Sequence, residues 1–404
     1  MGDARFILVL WILGAGLALA GAMCYAELGA SMPEIGGDFT YLRQAYGPLV
    51  GFLSGWASFT VGFAAAVAAA AVSFASYLLQ IGPVTSLSPI VVKVIALSLV
   101  WTLTGVHLLG TGAGGSIQRI LTVTKIGTIV AVLVSAVLFG SGKWEYLSEV
   151  NPLSTPTLGK AAVGLVFVMY AYSGWNVAGY IAGEILDPAR TLPRIMIGGT
   201  LFVGVLYVAL NLVYFYALPV SALAEEPILP VVEKTAMALF GPTGANAIGG
   251  MLCVSIAAAV SAMIWAGPRV YYAMAQNQLL PAFLAEVREG GAPMGAIVLQ
   301  GVWTSILIIS GSFEQLIIYS GLVLTAFSAV TASAVLVLRR RQPALPRPYR
   351  VPLSAVTPGI YIGVSVLMIG CVVAQRPMES VLAAGTVLAG VPVYLAQKRR
   401  SGSR

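Results

Sequence analysis

Charge is scarce in this chain. Asp, Glu, Lys and Arg make up only 9% of the 404 residues, 22 of them basic and 15 acidic. There is one histidine, His107, and there are three cysteines, Cys24, Cys253 and Cys371, each inside an apolar run. That leaves no Cys–Cys or Cys–His spacing for a metal and no disulfide frame. The cysteines read as small packing residues. No Gly-rich phosphate loop of the Walker type occurs, and no Ser–His or His-Glu-x-x-His constellation. Metal-dependent and ATP-driven chemistry are therefore not indicated. No cofactor is called for, and an intramembrane enzyme is disfavoured. The net charge of +7 sits in a chain too apolar for it to signal nucleic-acid binding. It is the expected excess of basic residues in loops facing the cytoplasm.

What the chain has in abundance is long apolar runs. It is 58% hydrophobic with a mean hydropathy of +0.91, a composition that defines an all-α polytopic membrane protein. A span needs about twenty residues. Eleven segments qualify: 6–31, 48–79, 89–110, 119–140, 160–184, 194–218, 245–275, 293–311, 315–338, 352–374 and 379–397. If the first runs inward, the basic runs Arg339–Arg341 and Lys398–Arg400 fall inside, with Arg43, Arg119, Arg190, Arg194 and Arg269. Only Arg5, Lys93, Lys143, Lys160, Lys234 and Arg376 fall outside. The asymmetry favours this orientation, with a cytoplasmic C-terminus in a cell (plasma or inner) membrane. Contact of the basic runs with anionic lipid is a secondary reading. The run from Phe6 to Ser31 is too long for a cleavable signal and carries Glu27. Met1 to Arg5 gives almost no polar lead-in, and an N-terminus outside is unusual. The expectation is that the chain is short by one span at its front.

The most informative stretch is Val168 to Glu184, VMYAYSGWNVAGYIAGE. Its middle, Ala171 to Asn176, is a poor helix interior. Gly costs about 1 kcal/mol relative to Ala there, and Ser and Asn offer the backbone competing hydrogen bonds. A helix that breaks at membrane depth frees N–H and C=O groups, tolerated only in protein or along a cavity. One reading is a discontinuous helix whose free backbone groups hold a small zwitterion near the midplane. The other is an ordinary span with a packing glycine.

Several stretches then resemble the amino acid–polyamine–organocation (APC) superfamily of secondary transporters. Ala20 to Gly55, containing AELGASMPEIGGDFTYLRQAYG, looks like that family's second span, first cytoplasmic loop and third-span start. Lys125 in VTKIGTIVAVL matches the fifth-span lysine of sodium-independent members. Ala171 to Asn176 is similar to the broken sixth span, most of all in the L-type (LAT-like) branch. GEILDPARTLP, WAGPRVYYAMAQNQLLP and LRRRQPALPRPYRVP resemble the family's later loops and span ends. The resemblance covers the whole chain. It implies an inverted five-helix repeat fold with about eleven of an expected twelve spans. Residues 1–140 would be a first repeat lacking its first span. Residues 160–338 would be a second repeat with its broken helix near 171–176. Residues 339–404 would be a basic link, two extra spans and a tail. The family's first span carries a second break whose N–H groups clasp the substrate carboxylate, and no such motif lies upstream of Phe6.

The resemblance also implies roles. Carbonyls around Tyr170, Ala171, Tyr172 and Ser173 would accept from a substrate ammonium. Gly174 would give room to turn, and Trp175 and Asn176 would wall the pocket, although the tyrosines could simply pack. The Lys125 ammonium would stand where sodium-coupled relatives hold a sodium ion, allowing proton coupling or ion-independent exchange. Alternatively its stem snorkels to the inner face. Ser261 falls where L-type relatives place an asparagine, and it lines a pocket or packs helices. Glu27, Glu184, Asp187, Arg190 and Arg269 form an ion-pair gate, or are solvated loop charges. His107 reads as structural. The outer loop from Gln80 to Pro89 has no cysteine for a heavy-chain disulfide, so no such partner is implied. The expected function is uptake of small or neutral amino acids by exchange or proton symport. A truncated non-transporting scaffold, or a permease for basic amino acids or polyamines, is the alternative.

Overall fold

A computed structural model describes residues 3–81, 88–148, 158–225, 231–287, 291–310 and 313–401. Helix accounts for nearly all of them. α1 (Ala4–Ser31) starts on Asp3, whose carboxylate accepts from the backbone N–H groups of Arg5 and Phe6. A short helix, α2 (Asp38–Tyr46), links it to α3 (Pro48–Ala57). A π-helical turn, Ser58–Phe63, joins α3 to α4 (Ala64–Ile81) without interrupting the span. α5 (Pro89–Leu108) and α6 (Thr111–Phe139) follow. Then come α7 (Leu158–Ala171) and α8 (Val177–Tyr180), which share one span across a break. α9 (Pro188–Ala217), the short α10 (Val220–Ala224) and α11 (Val231–Ala266) continue the chain. α12 (Pro268–Gln276), α13 (Met294–Ser310) and α14 (Phe313–Arg341) come next. The last helices are α15 (Val356–Gln375), α16 (Pro377–Leu388) and α17 (Gly390–Ser401).

Nine helical stretches among the described residues are long and apolar enough to cross a membrane. The 17-residue α13 and the interrupted α7–α8 supply two shorter ones. Together they correspond to the eleven apolar segments. Two details depart from the simple run-length reading. Gly241, at φ 68, with Pro242 behind it, kinks α11 and sets its first ten residues apart from the span. At its other end the span passes Gly267 and Pro268 and continues as α12.

The outer surface is apolar. Val137 and Leu138 on α6 and Leu201 and Val205 on α9 are all more than half exposed, as a surface facing lipid requires. Inside, small residues let backbones approach. α4 buries Ala64, Ala65, Ala68, Ala69, Ala71 and Ala75 against α5, α11 and α13. α1 packs along α9. The basic side chains gather at one end of the bundle. Arg341 donates to the Ala45 carbonyl at 3.0 Å, and Arg43 donates to the Asn277 amide oxygen. Lys93 and Arg376 mark the opposite end, where Lys93 donates to the Ile309 carbonyl at 2.7 Å.

Candidate functional site

The break between α7 and α8 is made by its own sequence. Helical bonding continues to Tyr172, whose N–H reaches the Val168 carbonyl at 3.0 Å. Ser173 then bonds Tyr170 one turn tighter, at 3.1 Å. Gly174 adopts φ 101, a conformation that L side chains rarely adopt, and an added Cβ there would face open space. Val177 resumes with a 3.1 Å bond to the Gly174 carbonyl. A residue at positive φ makes the break, and the Tyr207 hydroxyl takes up the Ala171 carbonyl that it frees.

This segment lines a cavity of about 710 Å³. Tyr170, Ala171, Tyr172, Ser173, Gly174, Trp175 and Asn176 are all on its wall, and so is Lys125 from α6. The π-helical turn brings Gly62 and Phe63 to the same wall, as such turns do at many functional sites. Trp303 anchors that turn by donating to the Thr60 carbonyl at 2.9 Å. The lining includes Lys125 and Arg376 but no Asp or Glu. Gln375 and Arg376 place one rim of the cavity at the end of the bundle opposite the basic cluster.

The aromatic side chains of the break are tightly held. Trp175 packs edge-on against Tyr25, ring centroids 4.9 Å apart, and against Tyr361 at 6.1 Å. Gly21 makes room for it, since a Cβ there would lie 2.7 Å from the indole. Tyr172 donates to the Trp11 carbonyl at 3.2 Å and packs on Trp11 and Tyr207. Of the carbonyls expected to face an ammonium, that of Ala171 already accepts from the Tyr207 hydroxyl at 3.0 Å. A carbonyl has two lone pairs, so one remains.

Lys125 is half-buried, and no carboxylate among the described residues lies within ion-pair distance of it. Lys125 lines the cavity. Ser261 is placed differently from the pocket expectation. It is fully buried away from the cavity, with its hydroxyl 3.0 Å from His107 Nε2. Ala259, Ala262 and Met263 line the cavity from this helix instead. His107 also stacks on Trp265, centroids 6.3 Å apart.

The five charges expected at one gate fall into three groups. Glu184 receives the Arg269 guanidinium through two bonds, at 2.9 and 3.3 Å, and that guanidinium also lies 5.6 Å from the Trp265 ring centre. Arg269 is 1% exposed. Glu27 joins a different cluster. It accepts from Arg339 Nε at 2.8 Å and from the backbone N–H of Val351 at 2.7 Å, with Arg347 at 3.7 Å. Asp187 and Arg190 pair only with each other, at 4.0 Å, and both are solvent-exposed. Arg339 and Arg347 escaped sequence reasoning because their partner lies more than three hundred positions away. The Gln80–Pro89 loop lies largely outside the described residues.

A cavity built around a broken helix in a membrane-spanning bundle is a feature that recurs in secondary transporters. The family model described as amino acid permease matches residues 1–395. The chain is 31% identical to the serine/threonine exchanger SteT of Bacillus subtilis (strain 168), across 100% of this chain and 91% of that one. It is 28% identical to Asc-type amino acid transporter 1 of Mus musculus, over 97% of this chain and 74% of the relative. It is 26% identical to large neutral amino acids transporter small subunit 2 of Homo sapiens, with the same coverage. The chain belongs to the amino acid permease family.

Proposed function

We propose that this permease carries small neutral amino acids by alternating access around the cavity at the helix break. The observation that carries this is the convergence of the break, Tyr170 to Asn176, and Lys125 on one cavity, with no carboxylate on its wall and no ion-pair partner for Lys125 among the described residues. Backbone carbonyls freed near Gly174 suit a substrate ammonium, and Lys125 places a positive charge on the same wall. A wall whose charged side chains among the described residues are Lys125 and Arg376 disfavours lysine, arginine and polyamines. The names of the relatives, a serine/threonine exchanger and neutral amino acid transporters, support the same substrate class.

In this reading Lys125 occupies a cation position, and transport runs as exchange or proton symport. Residues 1–140 and 160–338 act as the two inverted repeats. The packing of α1 along α9 agrees with that division, since the two occupy equivalent places in it. The basic end faces the cytoplasm, with the C-terminus on that side. The cavity rim at Gln375 and Arg376 then faces outward. No disulfide-linked heavy chain is required.

The test is uptake of a panel of radiolabelled amino acids by proteoliposomes, with and without internal amino acid. Saturable uptake of serine, threonine or alanine is expected. Dependence on preloading identifies exchange, and dependence on an imposed proton gradient identifies symport. Uptake confined to lysine, arginine or polyamines would refute the assignment.

A further inference from the structure

The basic end holds a buried carboxyl that the cavity does not use. Asp38 opens α2, outside the spans, and is 4% exposed. Its Oδ2 accepts from the Tyr180 hydroxyl at 2.5 Å, and that hydroxyl accepts from Asn176 Nδ2 at 3.2 Å. Two side chains thus connect the carboxyl to the break. The loop before α2 is shaped for this contact. Gly36 N–H bonds the Tyr180 carbonyl at 3.1 Å. Gly37 adopts φ +52, where a side chain would also overlap the Tyr180 ring.

The other carboxyl oxygen, Oδ1, is buried and makes no hydrogen bond of normal geometry. The same is true of the hydroxyls of Tyr25 from α1 and Thr331 from α14, which flank it. The remaining titratable neighbours are Tyr41 from α2 and Tyr361 from α15, with Glu34 beyond Tyr41. No cation among the described residues pairs with Asp38. An ionised carboxylate here is therefore buried without a counter-charge. A proton on Oδ1 removes that charge, and the carboxyl can then donate to the Tyr25 or Thr331 hydroxyl while Oδ2 keeps Tyr180.

We propose that Asp38 is a proton site that latches the second half of the broken helix: protonated, it holds α8 against α2, and ionised, it releases the basic end to open. The proton moves between Oδ1 and water, and no other bond changes. Burial raises the carboxyl above its ordinary value, and the Tyr180, Tyr25 and Thr331 hydroxyls pull it partly back. Opening admits water and restores an ordinary carboxyl. The closed form thus binds the proton more tightly. Its advantage is fully present below the open-form pKa and is lost as pH rises through the closed-form pKa.

This inference rests on the transporter reading only for its kinetic readout. Wild type, D38N and Y180F would be reconstituted with the same pH on both sides. Two quantities would be followed: the infrared C=O band of protonated carboxyl, and the rate of amino acid exchange. Wild type is expected to show a titrating carboxyl band that D38N lacks. Its exchange is expected to slow at acid pH, by about tenfold for each tenfold difference in proton affinity between closed and open forms. D38N is expected to be slow and flat across pH. Y180F keeps the ring against Phe63 but removes a donor to the ionised carboxyl, so its midpoint moves to alkaline pH. That variant carries the test if D38N does not reach the membrane. A wild-type pH profile or an unchanged band in D38N overturns the proposal. So does a uniform loss of rate in Y180F without a midpoint shift. If wild type moves no amino acid but the band titrates and vanishes in D38N, the transport assignment fails and the proton site stands.

Discussion

The cavity wall and the basic end of the bundle are built from opposite materials. The wall combines the backbone of the break, aromatic rings, aliphatic and hydroxyl side chains and Lys125, with Arg376 at its rim. The basic end holds two clusters in which a carboxylate is bound by guanidinium groups. Glu27 accepts from Arg339 and the Val351 N–H, with Arg347 close by, and Glu184 accepts twice from Arg269. Spare hydrogen-bonding capacity lets a wall take a ligand at little reorganisation. Paired charge clusters instead make one arrangement of the chain costly to leave. In the proposed transport cycle, recognition falls to the wall and conformational bias to the basic end.

The largest effect expected from breaking this contrast is at Glu27. Glu27→Ala strands two guanidinium groups against the C-terminal end of α1. Removing one partner of a buried pair typically costs about 3–5 kcal/mol. Thermal unfolding of the purified protein in detergent should show that loss. A melting temperature within a degree or two of wild type would mean the cluster is solvated and the contrast is false.

Lys125→Ala should behave in the reverse way. The ammonium has no partner among the described residues, so its loss should leave the melting temperature nearly unchanged. Transport should fall at least about tenfold, corresponding to about 1.4 kcal/mol in the transport barrier, or lose its pH dependence. Wild-type uptake with an unchanged pH profile would remove Lys125 from the mechanism and reduce the wall to backbone and aromatics.

Much of this was legible in the chain before any coordinates. The eleven spans follow from run length because a bilayer imposes one length on every helix. The break follows from Ser173, Gly174 and Asn176, which are poor helix residues in an apolar run. Direction around a helix was not legible. Ser261 sits one position from the cavity-facing Ala262, yet a step of one residue turns the side chain by a large fraction of the circle. In an all-apolar helix no polar stripe marks the inner face. Long-range pairing was equally hidden. Asp38 and Tyr180 are 142 positions apart, and nothing in GGDFTYL distinguishes a buried acid from a loop acid. The five charges grouped as one gate shared only their nearness to one end.

Ser261→Ala sharpens the boundary between the regions from the side of the wall. The change removes the 3.0 Å contact to His107 and leaves a buried ring nitrogen without its partner. A loss of about 1–3 kcal/mol in stability is expected from that desolvated group, with the KM for amino acid unchanged. A raised KM with unaltered stability would return Ser261 to the binding site.

The smallest effect is expected at Arg190. Its side chain is 78% exposed, its partner Asp187 is 62% exposed, and the two are 4.0 Å apart. Water solvates both charges whether or not they meet, so the pair contributes about 0–1 kcal/mol. Arg190→Ala should therefore leave both the melting temperature and the exchange rate close to wild type. Glu184→Gln, only a few residues earlier, should not. It leaves the 1%-exposed Arg269 without a counter-charge and should destabilise the fold by about 1–3 kcal/mol. Melting curves of the two variants side by side decide whether nearness to the basic end or burial of the charge sets the energetic role. Equal losses would mean that the whole end acts as one electrostatic unit, and the division of the five charges into three groups would have no energetic meaning.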